Sequence, residues 1–432
     1  MPPELLWRQG PHCCTYEPRG GVTNDLLVNE DRLWSSLMQL AEFGATPAGG
    51  VNRPALSEVD RRARRQFVQW CEALGCVVRA DAIGNLFARF AGEDDHAPAV
   101  MMGSHLDSQP TGGKFDGAYG VMAGLEVLRT LHANGVRPPC PLELVVWTNE
   151  EGSRFAPSMM GSLVYTSQLP LETALSTQDI DGISVAAELR NGAGCDAQAS
   201  VERPAAYFEA HIEQGPVLEA ERKTIGAVTG AQGQCWFQLK LHGRAAHAGT
   251  TPMAMRADAL VAASAIVIAL DRIGREHPPG CATSGRLVVN PNSPNVVPES
   301  VFMTAELRHP DDAARGRMEA SFRQAVNEVS NERGVRIEVD KVLEQPAAPF
   351  SPVCIRIVHE SAAARGYPNR AIISGAAHDA VAMSRIVPTG MIFVPCAGGV
   401  SHNEKESATP EDLAAGCQVL CDSVLSHGRG VN

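Results

Sequence analysis

Between Gly103 and Gly120 the chain reads GSHLDSQPTGGKFDGAYG, which sets His105, Asp107 and Asp116 into a glycine-rich loop. A buried carboxylate without a partner is costly, so either this loop is solvated or positive charge sits among its acids. Three further segments bring the same residue types: Glu150 and Glu151 in TNEEGSR, His211 and Glu213 in HIEQG, and His402 and Glu404 in GGVSHNE. Imidazole and carboxylate suit zinc, manganese, cobalt or nickel rather than a soft thiolate site. These donors exceed what one tetrahedral catalytic ion needs. The set therefore predicts two divalent ions about 3.5–4 Å apart with a bridging carboxylate. Any one of these residues alone would read as a solvated or hydrogen-bonded loop group, so the prediction depends on their convergence.

Convergence requires elements that end at one place. Ala97–Met102 and Leu142–Trp147 are apolar on both faces, as in buried strands of a covered sheet. Between them, Val121, Leu125, Leu128 and Leu131 form one helical stripe from Gly117 to Ala133, and Gly135 stops it. Strand, loop, helix, strand is a βαβ unit, and its ligands gather beyond the carboxyl ends of the strands. A further strand-like run, Ala206–Ala210, delivers HIEQG, and Met391–Val394 leads into the loop carrying His402. Upstream, helical periodicity marks Asn29–Phe43 and Ser57–Leu74, with Ser57 placed to cap.

After HIEQG the pattern changes. Trp236–His242 alternates with period two, and Ala257–Arg275, Arg286–Val289, Ser300–Leu307, Asp311–Glu332 and Val335–Val342 complete the order β-α-β-β-α-β. Doubly wound character resumes past Pro346 with helices over Pro352–Ala364, Ala377–Ile386 and Pro410–Leu425. The expected fold is therefore α/β: a doubly wound mixed-sheet catalytic domain from residues 29–228 and 342–432, with an inserted ferredoxin-like α+β domain over 229–341. Residues 1–28, rich in Pro, Gly and Cys, read as a loosely ordered N-terminal extension.

A chain of 432 residues, 44% hydrophobic and 20% charged, can bury a large core. Its net charge of −12 is spread without acidic blocks, and no Lys/Arg cluster resembles a phosphate-tracking stripe, which argues against nucleic acid. No apolar stretch approaches the roughly 20 residues of a membrane span, and the N-terminus lacks a signal pattern. The 12 cysteines are scattered without a CxxC pair, as reduced thiols in a cytoplasmic protein would be.

Taken together, GSHLDSQPTGGKFDGAYG, TNEEGSRF, EAHIEQGPVLE, GRAAHAGTTPM, PNSPNVVP with AELR, and SGAAHDA with GGVSHNE resemble one family. It is the hydantoinase/carbamoylase branch of the dinuclear-zinc aminoacylase and carboxypeptidase superfamily, which holds N-carbamoyl-L-amino acid hydrolases, allantoate amidohydrolases and β-ureidopropionases. The resemblance runs in order from about residue 29 to about residue 425. It implies that His105 and His402 are terminal ligands, that Asp116 bridges two divalent ions, and that Glu151 and His211 complete the set. Zinc leads as the metal, with manganese, cobalt or nickel able to take the same ligands. Glu150 is implied as general base and then acid, taking a proton from the attacking water and passing it to the leaving nitrogen. His247 is implied as the oxyanion donor, and Asn295 with Arg308 as the clamp on a substrate carboxylate. Gln214 and Gly375 would line the ureido and carboxylate ends of the substrate. Asp107 is implied as partner of a ligating imidazole, while His378 and Asp379 either lie beside the site or cap the next helix. The family also implies a homodimer formed through the inserted domain, with the oxyanion histidine supplied by the partner subunit.

The expected activity is hydrolysis of the carbamoyl C–N bond of an N-carbamoyl-L-amino acid or related ureido acid, giving amino acid, carbon dioxide and ammonia. Allantoate and β-ureidopropionate are the alternative substrates. A dinuclear-metal deacylase or peptidase is disfavoured by His211 and by EQG. A non-catalytic binding protein of the same fold is disfavoured because each implied position is filled. A nucleophile-based amidase would need a Gly-x-Ser-x-Gly elbow or a cysteine with a His–acid pair, and neither is present.

Overall fold

The structure, a computed structural model, describes residues 26–192 and 202–429. The extension expected over residues 1–28 lies outside the described residues except for its last three. Local sequence sets the helix starts. Asn29 accepts from the Arg32 amide at the head of helix Glu30–Ala41, and Ser57 accepts from the Asp60 amide at the head of helix Glu58–Glu72. Helix Ala118–Ala133 buries Val121, Leu125, Leu128 and Leu131, the stripe expected from its spacing, against strand Val100–His105 and helix Pro410–Gly428.

The larger sheet is mixed and has nine strands, ordered Val77–Ala80, Leu86–Phe90, Leu142–Trp147, Val100–His105, Ala206–Ile212, Thr389–Val394, Ile225–Ala231 and Ala348–Pro349, with Asn369–Ser374 pairing beside Ile225–Ala231. Its central four strands, Leu142–Trp147, Val100–His105, Ala206–Ile212 and Thr389–Val394, run parallel. All four are buried along their whole length, which explains why they read as apolar runs rather than as alternations. His105 pairs in register with Trp147, and His211 with Phe393. The parallel strands thus deliver their carboxyl ends, and the loops that follow, to one edge.

The second sheet has five strands, all antiparallel, ordered Leu287–Asn290, Ser300–His309, Gly233–His242 and Arg336–Gln345, with Cys281–Thr283 beside Ser300–His309. Phe237, Leu239, Leu241, Met303 and Leu307 on one face pack with Ile266, Leu270, Met318 and Phe322 of helices Ala259–Glu276 and Asp312–Arg333. The chain leaves the large sheet after Ala231 and re-enters it at Ala348, later at both crossings than 229 and 341. Strand Arg336–Gln345 outlasts the alternation in the sequence because its register shifts between Lys341 and Leu343. Helix Asp379–Met383 is shorter than the expected Ala377–Ile386. Among the described residues, no helix is long and apolar enough to cross a membrane.

Beneath the loop edge, buried cations tie helices to loops. Arg64 pairs with Asp60 at 3.0 Å, both almost fully buried, and donates to the Gly84 carbonyl and the Thr148 hydroxyl. Arg53 donates to the carbonyls of Leu106, Leu40 and Phe43; burial lowers its pKa to about 10 against the opposing pull of Asp60 and Asp107. Asp60→Ala leaves Arg64 as an uncompensated buried charge, and we expect a loss of about 3–5 kcal/mol in denaturant unfolding. A loss below about 1 kcal/mol, the value of a surface pair, would contradict this reading.

Candidate metal centre

Asp116 sits at the centre of the edge. Its Oδ1 lies 3.2 Å from His211 Nε2 and 3.9 Å from His105 Nε2, while its Oδ2 lies 3.2 Å from His402 Nε2. His402 Nε2 is 3.5 Å from Glu151 Oε2. Two donor groups result, His105–Asp116–His211 and Asp116–Glu151–His402, each with ligand atoms within 4.8 Å of one another and each containing Asp116. A third group, Glu209–His211–His378, lies behind the first. The loops that present these residues carry backbone strain: Asn149, Gln214 and His402 hold φ of +55°, +56° and +52°, each costing of order 1–3 kcal/mol. Gly117, with φ +63°, heads helix Ala118–Ala133, and a Cβ there would fall 2.3 Å from His105 Nε2.

Hydrogen bonds set the imidazole faces. His105 Nδ1 is 2.9 Å from the Asp107 carbonyl oxygen and His211 Nδ1 is 2.9 Å from the Ile212 carbonyl oxygen, so both Nδ1 atoms donate and both Nε2 atoms face the acids. Asp107 thus works differently from expectation. Its carboxylate, 3.8 Å from His105 Nδ1, accepts instead from the amides of Glu150 and Glu151 at 3.2 Å. The backbone oxygen orients the imidazole, and the side chain holds the loop of the two glutamates. Glu150 Oε2 lies 3.4 Å from His105 Nε2. Glu213 turns away to accept from the amides of Val217 and Leu218, and Glu404 pairs with Thr46.

Burial and the neighbouring charges decide which of these groups ionises. Burial raises Glu151 to about 8, with Asp116 adding to it, and raises Asp107 to about 7. Glu150 is pushed well above the carboxylate range by burial and then by Asp379 and Glu151. Burial works against ionised Asp116, but the imidazoles of His211 and His402 hold its pKa well below the usual range. Burial likewise opposes charge on His211, yet the Asp116 contact lifts it to about 9; the same contact lifts His402 to about 9. Burial drops His105 to about 4 and keeps it neutral. Crowded, reluctantly ionised acids beside Nε2 atoms make a donor set that fits divalent cations, which would replace the protons held there.

The remaining expected residues fall into pairs. Gln214 donates to Asp116 Oδ2 at 3.0 Å and belongs to the centre. His247 pairs with Val296 in a two-stranded ladder, and just beyond it the Ala248 amide donates to the Asn295 carbonyl. His247 is exposed, and its Nδ1 accepts from the amides of Gly249 and Thr250, which leaves the proton on Nε2. Arg308 donates to the Gly375 carbonyl at 2.7 Å and pairs with Glu306. Among the described residues, no hydrogen bond or ion pair joins His247, Asn295 or Arg308 to the acid–imidazole cluster. Sequence reasoning missed Glu209, fully buried, which accepts from Ser104, Tyr207 and the Ala380 amide. It lies two residues before His211 on the same face of a buried strand, and that spacing was the available signal. His378 occupies the cap position of helix Asp379–Met383 without a side-chain capping bond, its ring against His211 at 4.5 Å, while Asp379 accepts from Ser162.

The sequence profile of peptidase family M20/M25/M40 matches residues 101–426. An N-carbamoyl-L-amino-acid amidohydrolase of Rhizobium meliloti is 42% identical over 92% of this chain and 96% of its own. A ureidoglycolate hydrolase of Arabidopsis thaliana is 32% identical over 92% of this chain and 87% of its own. Among solved structures, a hydantoinase/carbamoylase-family amidase of Burkholderia multivorans superposes with a TM-score of 0.91 at 48% identity, covering 94% of this chain and 99% of that one.

His211 and His402 have folded-state pKa values near 9 against an ordinary 6.5. The folded protein therefore holds more protons than the unfolded chain between those values, and its stability without metal falls as pH rises through them. Metal competes with those protons, so added zinc or manganese raises Tm more as pH climbs toward about 9. Thermal melts of chelator-treated protein, with and without metal across that range, test this; a metal-dependent gain that shrinks with rising pH would contradict it.

Proposed function

From a chain that belongs to peptidase family M20/M25/M40 and, within it, to the hydantoinase/carbamoylase amidases, we propose a two-metal hydrolase of N-carbamoyl-L-amino acids. That it is a hydrolase of C–N bonds follows from the family; the substrate, the two ions and the residue roles are our reading. One observation carries that reading: the two oxygens of Asp116 face different donor groups, Oδ1 toward His211 and Oδ2 toward His402. His105, Asp116 and His211 would hold one ion, and Asp116, Glu151 and His402 the other. Two such ions would polarise a carbamoyl oxygen and lower the pKa of water toward neutrality.

The chain's own residues supply the proton chemistry and the binding. Glu150, buried and with a raised pKa, takes a proton from the attacking water and returns it to the nitrogen that leaves the carbamoyl carbon. The carbamic acid left by that cleavage breaks its remaining C–N bond spontaneously in water, so the products are the amino acid, ammonia and carbon dioxide. Gln214 contacts the ureido end, while Arg308, beside Gly375, and Asn295 hold the substrate carboxylate. His247 donates from Nε2–H to the developing oxyanion. Because its side chain is exposed and hydrogen-bonded only within its own turn, we assign it to the active site of a partner subunit in a homodimer. The exposed Val261 and Ile268 on helix Ala259–Glu276 support a self-complementary face there. Free cysteines throughout the described residues suit the cytoplasm.

Glu150→Gln should lower kcat by about 10²–10⁴-fold with metal content unchanged; near-normal turnover would remove Glu150 from the mechanism. Metal-reconstituted enzyme assayed for ammonia should prefer N-carbamoyl-L-amino acids over allantoate, ureidoglycolate and β-ureidopropionate. Preference for any of those three would reassign the substrate, and full activity after exhaustive chelation would end the metal reading.

A further inference from the structure

Four residues beyond His402, the Glu406 side chain is almost wholly buried and makes three hydrogen bonds to the walls of the centre. Its Oε1 accepts from the amides of Phe115 at 2.9 Å and Asp116 at 3.1 Å, and its Oε2 accepts from the Ser401 hydroxyl at 3.1 Å. Ser401 Oγ also lies 3.3 Å from Asp116 Oδ2 and accepts from Gln214 Nε2 at 3.1 Å. A serine has one proton to donate, so Asp116 and Glu406 share it. Asp116 is thus held twice, through its main chain by Glu406 directly and through its carboxylate by Ser401. Ser401 precedes His402, whose left-handed backbone presents the imidazole to Asp116. Gly113 leaves the space required: a Cβ there would lie 2.0 Å from Glu406 Oε1 and 2.5 Å from its Cβ.

We propose that Glu406 is a positioning residue for the metal centre, clamping the Asp116 loop to the His402 loop so that the shared carboxylate meets both donor groups. It is not itself a ligand, because both of its oxygens are committed to the Phe115 and Asp116 amides and to Ser401. The inference rests on the two-ion reading above but concerns ion binding rather than turnover. Partners that orient ligands in this way commonly govern metal affinity by about 10–100-fold.

The test is titration of chelator-treated full-length protein with zinc and with manganese, followed by calorimetry, with circular dichroism confirming the fold. Glu406→Ala should weaken affinity by about 10–100-fold. Glu406→Gln, which keeps an oxygen for the two amides, should bind nearly as the unsubstituted protein does. Ser401→Ala, which leaves Glu406 in place, should weaken binding by itself and add little in the Glu406→Ala background; it carries the test if Glu406→Ala fails to fold. Unchanged affinity in Glu406→Ala or in Ser401→Ala overturns the proposal, as does an equal loss in Glu406→Gln, which would make charge rather than the clamp responsible. If the unsubstituted protein binds fewer than two ions, the two-ion reading fails on its own account.

Discussion

Everything at the loop edge follows from one electrostatic constraint: Asp116 is ionised inside the protein, between imidazoles, with other carboxylates crowded around it. A buried carboxylate in such company is tolerable only if positive charge reaches it. His211 and His402, at 3.2 Å from its two oxygens, meet that need as protonated groups. Divalent ions would meet it better, since they would also satisfy Glu151 and favour ionisation of Glu150, which burial first and its acidic neighbours second keep protonated. The residues around the centre make sense as devices that keep this arrangement from collapsing. Asp107 braces the amides of Glu150 and Glu151, the carbonyls of Asp107 and Ile212 turn the imidazoles, and Glu406 secures the Asp116 main chain.

The fold serves the constraint by placing four parallel strand ends side by side. Such strands must be buried on both faces, and helices Ala118–Ala133 and Pro410–Gly428 cover one of them. Because the core fixes the strands, the loops can carry strained residues such as Gln214 and His402 without losing their positions. The second sheet, with its helices on one face, presents Arg308 to Gly375 and leaves His247 on the surface.

Much of this was legible in the sequence where the signal was local. Asn29 and Ser57 marked their helix starts, and strand Leu142–Trp147 falls where its apolar run lies. The four site loops were legible because each follows an apolar, strand-like run and carries His or an acid, so that a parallel sheet would bring them to one edge. What escaped was either too short or too distant. Helices Met160–Tyr165, Leu171–Ser176 and Val185–Leu189 have fewer than two turns, too few for a periodicity to appear. Strand Ile225–Ala231 is interrupted by glycine and does not alternate. The Glu406 contact with the Asp116 amide spans 290 residues, so no local pattern encodes it. Asp107 was recognisable as a partner of an imidazole, but which of its oxygens faces His105 depends on the fold of its loop.

Asp116 shared between two cations is the arrangement on which the proposed chemistry turns. Anomalous diffraction from crystals of the metal-reconstituted protein tests it most directly. Two peaks about 3.5–4 Å apart are expected, one on the His105–His211 side of Asp116 and one on the Glu151–His402 side. A single peak, or peaks remote from Asp116, would contradict it.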